Sequence, residues 1–368
     1  THHIGNSDMH RTFAELYQAE AYPPMSHPSA DPTVIAEVAR FFGLSESKVE
    51  GAKILEIGCG TGHHLLSVAS RLPTVECVGV DVSKRYVSKA KNLARQARLK
   101  NVSFCESSIL DFKSEGEFDF IIAHGVFSWV PNEVKVGMMD FIGKRLSKHG
   151  VAVVSFNVVA GWKERMLVVE KVRAIQAVGG VDEMTALSVF RDVADERETE
   201  IVNDMLAKGV EVLACDDFGP LTDAWSLGAV VKLAELSKLR WLGDSMTGER
   251  GDDATDTKLR TTFRSELFCR SDATLGELTP IPTQAESNFS VPNYPKLDPW
   301  RLVCAQECLP LVDAKLKSCI FPFSQLKVLA AMDGSRSMMA LADFAKEVSP
   351  DLDFIPWLRY VAERGFFS

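Results

Sequence analysis

Lys53-Ile-Leu-Glu-Ile-Gly58-Cys-Gly-Thr-Gly62 runs directly into His63-His-Leu-Leu-Ser-Val-Ala-Ser-Arg-Leu72. The opening residues form a short apolar run, the length of a buried strand. The glycines then make a turn. Leu65, Leu66, Val68, Ala69 and Leu72 recur on one side of a helix. The unit repeats downstream. A second strand is predicted from Val75 to Val80, ending at Asp81, with a helix marked by Val87, Ala90, Leu93, Ala94 and Ala97. A third strand is predicted at 102–105 and a fourth at 118–123. Val134, Met138, Phe141, Ile142 and Leu146 predict a helix that Gly150 should cap, leading into a fifth strand at 151–156. Strands alternating with helices predict an α/β, doubly wound, Rossmann-like sheet. Such sheets take ligands beyond the carboxyl ends of their strands, at the switch in strand order. The glycine loop, Asp81, Ser107–Ser108, His124–Gly125 and Asn157 all fall at those ends.

Two nucleotide cofactors compete for this site. A dinucleotide site wants G-x-G-x-x-G. Here the third position is His63, so that pattern fails. The pattern E-x-G-x-G-x-G is met by Glu56, Gly58, Gly60 and Gly62, with Cys59 between the first two glycines. Without a pyrophosphate, the helix start can meet a carboxylate. Glu56 suits an ammonium group, and Asp81 suits both hydroxyls of a ribose. Amine, carboxylate, ribose and adenine together describe S-adenosylmethionine. Val82, Ser108, Ile109, His124 and Gly125 complete the expected cofactor contacts.

Composition agrees with an ordinary globular protein: 368 residues, 46% hydrophobic and 25% charged. The net charge of -9 comes without a concentrated basic face, so no nucleic-acid partner is expected. The basic run from Lys84 to Lys100 reads as the solvated side of one helix. No stretch reaches the length of a membrane span, and no leader is recognisable. The eight cysteines follow no paired spacing, so reduced thiols, no metal and a cytoplasmic location are expected. Cys304 and Cys308 stand one helical turn apart, with no second ligand pair.

Glu56–Gly62 and Gly79-Val-Asp81 resemble the class I methyltransferases in general. Ile121-Ile-Ala-His-Gly-Val-Phe-Ser-Trp-Val-Pro131 is more selective. It resembles a bacterial subfamily in which a class I domain precedes a methyltransferase regulatory domain. Tyr17 and Tyr22, His27-Pro28, Ser155-Phe-Asn157 with Gly161-Trp162 and Arg165, and Phe263–Arg270 resemble further stretches of it. That subfamily includes rickettsial protein-lysine methyltransferases. The resemblance implies the cofactor, and protein lysine side chains as acceptor. A small molecule or peptide natural product is the alternative acceptor, and a non-catalytic cofactor-binding regulator is the third reading. Many class I enzymes have an acid after the third strand for the adenine amino group. This chain has Ser107-Ser108, and Asp111 could substitute.

The resemblance also implies a seven-stranded sheet. Leu239-Arg-Trp-Leu-Gly and Phe263–Arg270 supply the last two strands, the final one antiparallel, with a mobile loop at 248–256 between them. The expected organisation is an N-terminal lid segment and helix (1–50), a cofactor-binding core (51–162), a helical cap (163–237) and the closing strands (238–270). A linker (271–308) then leads to a small, mainly helical or winged-helix-like accessory domain (309–368). That last domain could dock a protein or pair two copies. In the cap, Met166, Val169 and Val172 should share a face, as should Met184, Leu187 and Phe190. His124 could pack on the adenine, act as a base or serve structure alone. Trp129 and Trp162 could be core, or could wall the acceptor together with Phe127, Tyr17 and Tyr22. His124 and Asn157 are the expected catalytic pair, the Asn157 carbonyl orienting the nucleophile's hydrogen.

Overall fold

The computed structural model describes residues 26–277 apart from 45, 209, 220, 246 and 247, and then 308–312, 318–322, 324, 325, 328 and 338–363. Tyr17, Tyr22, Cys304 and most of the expected linker lie outside the described residues.

Asp31 opens α1 (Pro32–Phe41). Its carboxylate accepts the Thr33 N–H, and Pro32 stands at the first helical position, where its missing donor costs nothing. Then follow β1 (Lys53–Ile57), α2 (His63–Arg71), β2 (Glu76–Asp81), α3 (Lys84–Gln96), β3 (Val102–Glu106) and β4 (Phe118–Ala123). Next come α4 (Asn132–Arg145) and β5 (Leu146–Asn157). Four helices succeed it: α5 (Val159–Gly179), α6 (Glu183–Arg191), α7 (Glu196–Ala207) and α8 (Val210–Asp216). The chain returns through α9 (Leu227–Leu236), β6 (Leu239–Asp244), α10 (Asp253–Leu259) and β7 (Phe263–Arg270). The seven strands lie in the order β3-β2-β1-β4-β5-β7-β6. β1 pairs in parallel with both β2 and β4, and β7 runs antiparallel between β5 and β6. The switch in order therefore falls between β1 and β4.

Alternation along β1 divides the core. Ile54 faces a cluster with α1 and α2, while Leu55 faces a second cluster with α4 and α9. A third cluster, with Val169, Val172, Leu187, Phe190, Val202 and Leu213, belongs to α5–α8. On the face that Met166 shares with Val169 and Val172, Met166 is 41% exposed while the other two are buried. The helix turns Val168 and Val169 inward and Arg165 toward the strand ends.

Two local expectations are corrected. Gly150 does not cap the preceding helix, which ends at Arg145 with Leu146 as its cap. Leu146 pairs with Phe118 across a bulge, so β5 begins before the glycine. Sheet pairing overrides the local glycine signal here. The acid-rich 248–256 segment is loop only as far as Asp252 and then enters a helix. Asp252 caps α10 by accepting the Thr255 N–H, and Asp256 is buried in an ion pair with Arg264.

The C-terminal region is not helical throughout. β8 (Cys308–Val312) and β9 (Ser318–Pro322) form an antiparallel ribbon, so Cys308 sits in a strand rather than a helical turn. α11 (Met338–Val348) and α12 (Phe354–Glu363) follow. Their apolar residues Leu341, Ala345, Phe354 and Trp357 join the same buried cluster as Val34, Ile54 and Leu65. These helices complete one face of the sheet instead of standing apart as an accessory body. Trp357 also donates from Nε1 to Gln325 at 3.0 Å. Trp357→Ala should therefore cost about 3 kcal/mol and shift a single unfolding transition to lower denaturant. Two separate transitions would show instead that the C-terminal segment folds as an independent unit.

Candidate functional site

A cavity of about 570 Å³ opens at the strand ends around the switch. The glycine turn supplies its floor. Gly60 has φ +53°, and a Cβ there would meet no protein atom within 4 Å. The turn thus presents bare backbone to whatever the cavity holds. Gly62 has φ +78°, and a Cβ there would come within 2.7 Å of Phe104, so this glycine lets α2 pack on the sheet. Asp81 ties the turn down. Its Oδ2 accepts the Gly60 N–H at 2.8 Å, and its Oδ1 accepts the Ser83 N–H at 2.8 Å.

Glu56, Gly58, Cys59, Gly60, Asp81, Val82, Ser108, Ile109, His124 and Gly125 all line this cavity. Gly62 stands behind it as the left-handed cap of α2. Trp129, Asn157 and Trp162 line it as well. Phe127 does not. The turn between β4 and α4 points Phe127 inward against Phe156 and Trp225, where it is fully buried core rather than acceptor wall. Asp111 is exposed and away from the cavity, so it offers no substitute adenine contact. Ser108 remains in place, its Oγ accepting the Leu110 N–H at 3.2 Å and keeping a lone pair.

Buried polar atoms without partners gather here. Glu56 Oε2, His63 Nε2, His64 Nε2, His124 Nδ1, Asn157 Nδ2 and Arg165 Nη2 have none among the described residues. All six belong to residues that line the cavity. Unpaired buried groups are costly unless a ligand completes them. Burial, reinforced by the Asp81 charge, pushes the Glu56 carboxyl up to about 8. An ammonium group is the natural partner for it. Glu56 for an amine, Asp81 for ribose hydroxyls and the glycine turn together fit the expected cofactor.

Three histidines crowd the opposite side. His27 stacks on His124 with ring centres 4.1 Å apart, and Phe263 meets His124 edge-on at 5.6 Å. The His27 backbone N–H donates to His64 Nδ1 at 3.1 Å. Burial, with the neighbouring His64 charge, pushes His124 down to about 3. Burial likewise takes His64 to about 4. These imidazoles are neutral at physiological pH. Gly125 N–H donates to Ser155 Oγ at 2.8 Å, which fixes the end of β4 against β5. Asn157 is clamped through its backbone, donating to Ser128 Oγ and accepting from the Trp225 N–H. β7 sets Phe263 opposite Asn157.

The far wall comes from the inserted helices: Trp162 and Arg165 of α5, Asp204 of α7, Lys208, and Cys215 and Asp216 of α8. Trp129 Nε1 donates to the Asp216 carbonyl at 3.3 Å, joining this wall to the end of β4. Asp204, Lys208 and Asp216 carry no local signal in the sequence. Arg165 does, because it stands three residues after Trp162 and so on the same helical face.

The raised Glu56 pKa has a measurable consequence. Near about pH 7 the free protein holds the proton, and a bound ammonium favours the carboxylate. Binding of S-adenosylhomocysteine should release up to about one proton at that pH, and fewer as pH rises through 8. Affinity should climb with pH and level off above 8. Calorimetry in buffers of different ionisation enthalpy reads this directly, and Glu56→Gln should abolish the buffer dependence. Asp81→Ala should weaken binding by about 1.5–3 kcal/mol per charged hydrogen bond lost. Unchanged affinity in a folded Asp81→Ala protein would remove Asp81 from the cofactor site.

Comparison with known proteins agrees with this geometry. Residues 48–187 match a family model described as a methyltransferase domain. An uncharacterised protein of Rickettsia prowazekii is 39% identical over 147 residues, 40% of this chain and 59% of that protein. A second protein of the same organism is 38% identical over 154 residues, 28% of its length. The match thus spans less than two thirds of either relative. A trans-aconitate 2-methyltransferase of Afipia carboxidovorans is 28% identical over 87 residues, 24% of this chain and 32% of that enzyme. Among solved structures, PKMT2 from Rickettsia typhi in complex with AdoHcy superposes with a TM-score of 0.72 at 17% identity, covering 90% of this chain and 92% of that one. No described helix is long and apolar enough to cross a membrane. The domain match, the strand order and the glycine turn with its carboxylates agree: residues 48–187 are similar to a methyltransferase domain, and the sheet has the class I methyltransferase fold.

Proposed function

We propose that the protein transfers the methyl group of S-adenosylmethionine to a lysine side chain of a protein. The observation that supports this reading is the charge of the far wall. Arg165 is paired with Asp217 and Asp204, and Lys208 with Asp217 and Asp216. Asp204 and Asp216 of the wall, with Asp217 buried behind them, outnumber the two cations, so the cluster carries one net negative charge. It favours a cationic acceptor and opposes a carboxylate one, such as the acceptor in the name of the trans-aconitate relative. Trp129 and Trp162 add aromatic faces, which tolerate a methylated ammonium and desolvate the amine toward its neutral, nucleophilic form.

In this reading Glu56, Asp81 and the glycine turn hold the cofactor, with Val82, Ser108 and Ile109 about the adenosyl group. The cofactor supplies an activated methyl group when bound. His124 and Asn157 meet the amine from the neighbouring ends of β4 and β5. Buried imidazoles as weakly basic as His124 can accept a hydrogen bond from the amine and orient its lone pair. They are poor stores for its proton. Most of the rate then comes from holding the amine in line with the methyl.

The cavity volume supports an alternative. At about 570 Å³ it lies within the small-ligand range, so a small cationic amine is the second acceptor. Incubating a lysate with the enzyme and methyl-labelled cofactor separates the two. Label that runs with protein and survives mild alkali is the expected result, since N-methyl-lysine is stable and carboxyl methyl esters are not. Label confined to the small-molecule fraction would replace the protein-lysine reading with the alternative. Alkali-labile label would mean that a carboxylate is the acceptor.

A further inference from the structure

Arg165 stands one turn beyond Trp162 on α5, and both side chains line the cavity. Its Nε donates to Asp217, its Nη1 donates to Asp204 at 2.6 Å, and its guanidinium carbon lies 5.5 Å from the Trp162 ring centre. The side chain is only 6% exposed, yet Nη2 has no hydrogen-bond partner among the described residues. A buried charged donor left unpaired is costly. Two carboxylates already offset the guanidinium charge, so a third anion would meet net repulsion. A neutral carbonyl oxygen completes the donor without adding negative charge.

The length of the helix bears on which carbonyl. At about 1.5 Å per residue, Arg165 stands roughly 9 Å along α5 from its start at Val159. A lysine side chain is four C–C bonds and one C–N bond of about 1.5 Å each, so it reaches roughly 6 Å from Cα to Nζ. Its own carbonyl carbon is one bond further. That span is comparable with the rise along α5 from its start to Arg165. We propose that Arg165 reads the main chain of the acceptor: Nη2–H donates to the carbonyl oxygen of the peptide unit carrying the target lysine. The site then selects peptide-bound lysine over a bare alkyl amine. This rests on the protein-lysine reading and names what that reading leaves open. Arg165 is a specificity-determining residue here and takes no part in the bond-making step.

Two probes test it: Nα-acetyl-lysine N-methylamide, which carries the peptide carbonyls, and n-butylamine, which has the amine alone. Arg165→Lys keeps a cation for Asp217 and Asp204 but removes the Nη2 donor. The expected result is a KM for the capped lysine raised about tenfold with kcat within about twofold. The kcat/KM for butylamine and the affinity for S-adenosylhomocysteine should be unchanged. If butylamine is not turned over, its inhibition constant against the capped lysine serves as the comparison. Equal losses on both probes, or a fall in cofactor affinity, would make Arg165 structural and overturn the assignment alone. No loss on either probe would do the same. A wild-type enzyme that methylates neither amine would overturn the lysine reading first, and this assignment with it.

Discussion

One carboxylate holds the cofactor end of this molecule together. Asp81 accepts a backbone N–H from the glycine turn after β1 and another from the turn after β2. The Gly58 and Cys59 N–H groups both reach the Val80 carbonyl beside it. The two turns at the topological switch therefore move as one piece, and the crevice between them keeps its shape before any ligand arrives. Burying such a carboxylate is unfavourable, and burial raises the Asp81 pKa even against the two amides that lower it. The site accepts this because a rigid turn spends less conformational entropy on binding. Glu56 stands close enough to feel the same charge, which makes the floor of the cavity a place for a cation.

The far wall of the cavity follows a different logic. Here no single residue dominates, and the wall is assembled from α5, α7 and α8 through the ion pairs of Arg165 and Lys208. Buried pairs of this kind add little net stability, but they fix side chains in place. Further along, Lys135 is fully buried between the rings of Phe127 and Trp225 and paired with Asp223. That contact anchors the segment after α8 beneath the end of β4. The inserted helices are thereby tied to the sheet, and their charged residues are held over the strand ends.

The strand-turn-helix unit at 53–72 was legible because its pattern is local: a short apolar run, left-handed glycines and a helical stripe need no distant partner. The same holds for Asp81, whose place is set by the length of one β-α-β unit. Phe127 was misread because it adjoins site residues in sequence, while a single tight turn reverses which neighbour faces the cavity. Gly150 was misread because a strand partner, Phe118, captured Leu146 before the glycine could end the helix. The helices of the C-terminal region were recognisable, but not the face they would cover. Amphipathicity says that a helix has an apolar side and leaves its partner unnamed.

The sequence by itself determined the doubly wound sheet and the strand ends at which the glycine turn, Glu56 and Asp81 gather, since these depend on spacing within contiguous segments. Only the tertiary structure decided which distant residues complete the cavity. His27 stacks on His124 from nearly 100 residues away, and Asp204 and Asp217 neutralise Arg165 across helices whose packing angles no local pattern encodes. The physical reason is range. Periodicity and turn chemistry act over a few residues, while the charge and shape of the cavity's far wall arise from long-range packing, where each side chain's environment is supplied by the rest of the chain.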